Sequence, residues 1–184
     1  AHGTGNVELA SGIAATAATA ESPIAVNANL ATSGGDVLLL SAGDLTLAPR
    51  SDIYTLMAGE IELQAGKAAD TAASVLMDND SLLRAGSGDI RIVAAKDVAL
   101  GGVYTRGTVD ITARSGSIRD GGDRFTDITA DEITLNAAGI IGAADAAIAY
   151  HTPSLQASAS NSGDIFVTPG QRWSRPGWIS TDEV

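Results

Sequence analysis

Carboxylates are the groups in this sequence most able to do chemistry. The densest set lies in Arg119-Asp120-Gly121-Gly122-Asp123-Arg124, with Asp127 three residues further on. Two carboxylates facing each other across a cleft about 5–9 Å wide hydrolyse glycosidic bonds. Asp120 and Asp123 instead share one glycine-rich corner, where the simpler reading is a turn. Calcium is the other reading for them, and also for Asp78 and Asp80 in Asp78-Asn79-Asp80, because hard cations take carboxylate and amide oxygens. The twelve-residue calcium loop does not fit. It requires Asp or Asn at its fifth position and Gly at its sixth, and Leu82 and Leu83 stand there. The nonapeptide calcium repeat fails too, since Gly86-Ser87-Gly88-Asp89 lacks its spacing and never iterates. A solvated loop accounts for 78–80 without a metal.

The remaining chemical candidates are sparse. His2 and His151 are the only histidines, too few for an imidazole metal site, and neither lies near a serine in a nucleophile motif. Gly3-Thr4-Gly5 lacks the third glycine and preceding strand of a dinucleotide loop. Trp173 and Trp178, both tryptophans of the chain, lie close to Arg172 and Arg175 in the segment 169–184. That segment reads as a cap over the end of the fold, a linker to a further module, or a tail, with stacking on a sugar ring as the functional alternative. No catalytic set emerges, and the sequence is read as non-enzymatic.

Composition narrows the partners. With 11 basic and 22 acidic residues the net charge is −11, which repels phosphate backbones and anionic lipid and disfavours nucleic-acid binding. There is no cysteine, hence no disulfide or thiolate chemistry. No apolar run approaches the ~18 residues of a membrane span. Aromatics make up only 4% of the chain, so the core must be thin and built from small and β-branched side chains. The start, Ala1-His2-Gly3, has neither an initiator methionine nor a basic-then-apolar leader, and the chain is expected to be part of something longer.

The elements that position these residues are short. Apolar pairs one residue apart recur throughout, each opened by Gly-Asp or a close variant: Gly35-Asp36-Val37, Gly43-Asp44-Leu45, Gly59-Glu60-Ile61, Gly88-Asp89-Ile90 and Lys96-Asp97-Val98. Ile133-Thr134-Leu135 and Ile165-Phe166-Val167 show the two-residue period of a strand. Strands this short cannot stand alone, and a succession of them is most economically stacked. Taking Val37, Ile61, Ile90, Val109, Ile133 and Ile165 as equivalent gives intervals of 24, 29, 19, 24 and 32 residues. A second strand follows about eight residues after the first: Val37 then Leu45, Ile90 then Val98, Val109 then Ile118, Ile133 then Ile141.

Two or three strands per turn with Gly, Asn and Asp corners describe an all-β parallel β-helix, a β-solenoid, over residues 1–168. The inward aliphatic residues would form ladders, the corner glycines would supply positive φ, and each following Asp would bond N–H groups of its own turn. About six coils would make a rod roughly 30 Å long. Residues 67–80 break the pattern and are expected to form a short helix or a loop that bulges out of the stack. Residues 12–33 are Ala- and Thr-rich, with Pro23 stopping any helix and Ile24 and Val26 starting a strand.

Residues 34–168 resemble the repeat regions of filamentous-haemagglutinin-like bacterial adhesins. The phrase is carried by Gly116-Ser117-Ile118-Arg119-Asp120-Gly121, Asp127-Ile128-Thr129-Ala130, Ile133-Thr134-Leu135, Gly139-Ile140-Ile141-Gly142, Leu155-Gln156-Ala157 and Ser162-Gly163-Asp164-Ile165. The doubled Ile140-Ile141 departs from the family's single Ile. The resemblance implies a right-handed parallel β-helix in a very large secreted or surface-anchored protein, often exported through a partner pore in the outer membrane. It implies an extracellular shaft without catalytic residues, serving cell adhesion or biofilm growth. Its partners would be neighbouring modules of the same chain, and glycans or proteins of the host or cell surface. The alternatives are a carbohydrate-active β-helix enzyme and a fibre subunit that self-associates end to end.

Overall fold

A computed structural model describes residues 5–11, 22–66, 72–122 and 125–170. Within them the chain winds as a β-solenoid of parallel strands, with no helix among the described residues. Every turn visits three sheets in the same order. The first sheet stacks Val7–Ser11, Val37–Ser41, Ile61–Ala65, Ile90–Ala94, Thr108–Ala113, Glu132–Ala137 and Ser154–Ala159. The second stacks Ile24–Val26, Leu45–Leu47, Val75–Met77, Val98–Leu100 and Ile118–Asp120, and continues through single bridges at Ile141 and Ile165. The third runs Leu30–Thr32, Ile53–Thr55, Leu82–Arg84, Gly102–Tyr104, Ile128–Thr129, Ile148–His151 and Val167–Pro169. Seven strands in the first sheet make six coil-to-coil steps, a stack of about 30 Å.

Alternation along each strand builds the core. Val37 and Leu39, Ile61 and Leu63, Ile90 and Ile92, Val109 and Ile111, Ile133 and Leu135 point inward and are essentially fully buried. They stack on one another in register from coil to coil. Each contributes about 1.5–3 kcal/mol by leaving water. Their outward neighbours, such as Glu62, Arg91, Asp110 and Thr134, form parallel ladders of polar side chains, with an ion pair of 2.5 Å between Arg91 and Glu62. That pair is exposed and adds little.

Four expectations change on contact with the structure. Ile165 does not belong to the ladder of Val37, Ile61, Ile90, Val109 and Ile133; Leu155 does, and Ile165 bridges Ile141 in the second sheet. Ile165-Phe166-Val167 is therefore not one strand, because the chain turns from the second to the third sheet within it. Within the stretch 67–80, Val75–Met77 is neither loop nor helix but a regular rung between Leu45–Leu47 and Val98–Leu100. Residues 67–71 lie outside the described residues.

The fourth concerns the corner glycines. Among the described residues, positive φ is confined to Gly66, Gly122 and Gly142 among the glycines, and to Arg50 and Ser162 otherwise. The recurrent glycines of the Gly-Asp corners are needed for space instead. A β-carbon on Gly59 would overlap the carbonyl oxygen of Gly35, and one on Gly88 would overlap that of Gly59. Successive coils touch backbone to backbone at this corner, and only hydrogen fits between them.

Candidate functional site

The corners are where polar side chains gather, and they do one job repeatedly. Where the chain enters the first sheet, Asp36 Oδ1 accepts from the Glu60 N–H at 3.0 Å, Asn6 Oδ1 accepts from the Asp36 N–H at 3.0 Å, and Asp89 Oδ1 accepts from the Thr108 N–H at 2.7 Å. At the entrance to the second sheet, Asp44 Oδ1 takes the Ser74 N–H and Asp97 Oδ1 the Ser117 N–H, both at 2.8 Å. Ser117 Oγ in turn accepts from the Ile140 N–H at 3.2 Å. At the third, Asn29 Oδ1 accepts from the Asp52 N–H at 3.0 Å and Asp127 Oδ2 from the Ala149 N–H at 2.7 Å. In every case donor and acceptor lie one coil apart. The carboxylates expected to close their own turns instead clamp the next coil along the axis.

Threonines complete the corner between the third and first sheets. Thr32 and Thr55 are buried, and their hydroxyls donate to the carbonyls of Gly35 and Gly59, the latter at 2.6 Å. Backbone groups that leave the ladders at a bend thus find partners without water.

Of the calcium candidates, Asp78, Asp80 and Asp120 are brought to one flank. Asn79 Nδ2 donates to the Gly121 carbonyl at 2.7 Å, which places the 78–80 corner against the Asp120 corner. Two of the carboxylates there do close their own turns: Asp78 Oδ1 accepts from the Asp80 N–H and Asp120 Oδ1 from the Gly122 N–H, both at 2.9 Å. No group of three or more His, Cys, Asp or Glu side chains among the described residues is arranged to hold a metal. Asp127, grouped with Asp120 by sequence, is separated from it by the fold. It is buried as a clamp at the third sheet. Asp123, His2, Arg172, Trp173, Arg175 and Trp178 lie outside the described residues. His151 ends a strand of the third sheet, half-buried, and its carbonyl accepts from the Ala130 N–H at 3.1 Å.

Three shallow clefts lie on the flanks among the described residues. Two follow the outer face of the first sheet, with Glu60 and Glu62 lining both; Asp36 belongs to one, and Asp89, Arg91 and Asp110 to the other. The third is the largest, about 380 Å³, and was not anticipated from the sequence. Leu56, Met57, Arg84, Ser87, Tyr104 and Arg106 line it, drawn from three successive coils beside the third sheet. Tyr54, Arg84 and Tyr104 are neighbours in register on the outer face of that sheet, and the Arg84 guanidinium lies 5.7 Å from the centre of the Tyr104 ring. Neither Asp120 nor Asp127 lines any of the three clefts.

The fold and its corners define a parallel β-solenoid in which Asp36, Asp44, Asp89, Asp97 and Asp127 bond to N–H groups one coil away. Compared with protein-family models, with curated proteins and with solved structures, the chain finds no match. No helix among the described residues is long and apolar enough to cross a membrane.

Proposed function

We propose that this chain is a segment of the rigid shaft of a filamentous-haemagglutinin-like bacterial adhesin, extracellular and non-enzymatic, holding other modules of the same protein away from the cell. One observation carries the reading. Asn6, Asp36, Asp44, Asp89, Asp97 and Asp127 turn their side-chain oxygens onto N–H groups of the adjacent coil and so act along the axis as stiffening clamps. An enzyme on a β-helix needs such groups converging on a cleft, free to move protons. The ordered phrase from Gly116 to Ile165 supports the family, and the acidic outer surface keeps a long rod soluble.

Antibodies against this chain should label intact source cells as strongly as lysed ones. Labelling confined to lysed cells would remove the adhesin reading. Incubation with pectin, alginate and peptidoglycan, with and without calcium, should release no oligosaccharide. Release abolished by Asp120→Asn would transfer the assignment to a carbohydrate-active enzyme.

A further inference from the structure

The cleft beside the third sheet differs in kind from the two clefts on the first sheet. In a chain of net charge −11 it is lined by two guanidinium groups, Arg84 and Arg106, and by no acidic side chain. It also carries the two most exposed large apolar residues described, Leu56 at 65% and Met57 at 68%. The other two clefts are bordered by three or more carboxylates each. At physiological ionic strength charges beyond about 8 Å are screened, so the local lining and not the net charge governs what settles there.

We propose that this cleft docks a short acidic and aliphatic peptide segment of another protein, with a carboxylate on Arg84 and an aliphatic side chain against Leu56 and Met57. Guanidinium groups suit carboxylates through paired, charge-assisted hydrogen bonds. The unbranched, polarisable thioether of Met57 adapts to varied apolar side chains. A volume of about 380 Å³ accommodates one or two of them. A glycan fits less well. The Tyr104 ring has Arg84 over it and is only 7% exposed, so it offers no open stacking face. The lining also holds no Asp, Glu, Asn or Gln side chain to accept from sugar hydroxyls. The central strands of the third sheet are paired on both sides, so the partner must be read by these side chains and not by strand addition.

Methionine supplies the test, because the chain has only two and Met77 is buried in the core. The full 184-residue chain, labelled with ¹³C at the methionine methyl groups, is titrated with a capped pentapeptide of alternating glutamate and leucine. The Met57 signal should move along a saturable curve with a dissociation constant on the order of 0.1–1 mM, as befits a small contact. The Met77 signal should stay. Arg84→Glu should weaken binding about tenfold, whereas Arg119→Glu, exposed on the second sheet, should not. Should Arg84→Glu displace the Met77 signal and so disturb the fold, Leu56→Ser decides, with an expected loss of about threefold. An unmoved Met57 signal overturns the proposal, as does an equal response to a lysine–leucine pentapeptide. A response to oligogalacturonate without one to the acidic peptide would make this a glycan site instead.

Discussion

Ile133 and Thr134 are adjacent in the chain but occupy opposite environments. Ile133 stacks between Val109 and Leu155 in the interior, whereas Thr134 stands outward between Asp110 and Gln156. The narrow interior cannot collapse around a hole, so Ile133→Ala should cost about 2–5 kcal/mol in urea melts. Thr134→Ala should stay within about 0.5 kcal/mol. Glycine yields a second contrast. Gly88→Ala drives a methyl group into the backbone of the preceding coil and should destabilise by about 1–3 kcal/mol or prevent folding. Gly5→Ala, with nothing within 4 Å of the added carbon, should be tolerated in the same thermal melt.

At the scale of the element, the unit is a corner and not a strand. Before several of the three-residue strands, at Asn29, Asp44, Asp97 and Ser117, a side chain accepts from an N–H of the next coil and so helps to hold the register. Asp127 is the most buried of these clamps described, and its carboxylate holds the Ala149 N–H. Asp127→Ala leaves that amide without its acceptor and should cost about 1–3 kcal/mol. Asp127→Asn keeps an oxygen in place and should lose less. Equal losses in the two variants, by denaturant midpoint, would show that the carboxylate acts by charge and not as an acceptor. The corner also explains why two acidic sets read alike in sequence diverge in role: Asp120 Oδ1 turns back on Gly122, and Asp127 reaches to the next coil.

At the scale of the whole molecule, stability is a sum over neighbouring coils. Residues 90–108 make one complete coil, since Ile90 and Val109 are in register. Their deletion joins Asp89 to Val109 and leaves the carbonyl that accepts from the Ile61 N–H in place. The shortened chain should fold cooperatively with a urea m-value lower by about a tenth, in proportion to the surface lost. Deleting 95–104 instead removes the second and third strands of a coil but keeps the first, so the turn cannot close. That variant should fail to give a cooperative melt.

The sequence by itself determined the solenoid, the inward ladder from Val37 to Ile133, and the succession of first and second strands in four turns, Val37 and Leu45, Ile90 and Val98, Val109 and Ile118, Ile133 and Ile141. These follow from alternation and from glycine before an acidic residue, both local properties of a few consecutive positions. What it left undecided was which corner a given phrase occupies. Ser162-Gly163-Asp164-Ile165 reads like Gly88-Asp89-Ile90, yet the former opens the second sheet and the latter the first, because both corners impose the same demand for close backbone approach. Val75–Met77 was hidden for a related reason: one buried rung of three residues carries no periodicity that separates it from a loop. The cleft of Leu56, Met57, Arg84 and Arg106 had no sequence signal of its own, because its residues come from three coils. Tertiary structure decided these points, since register between coils is fixed by contacts 19 to 30 residues apart.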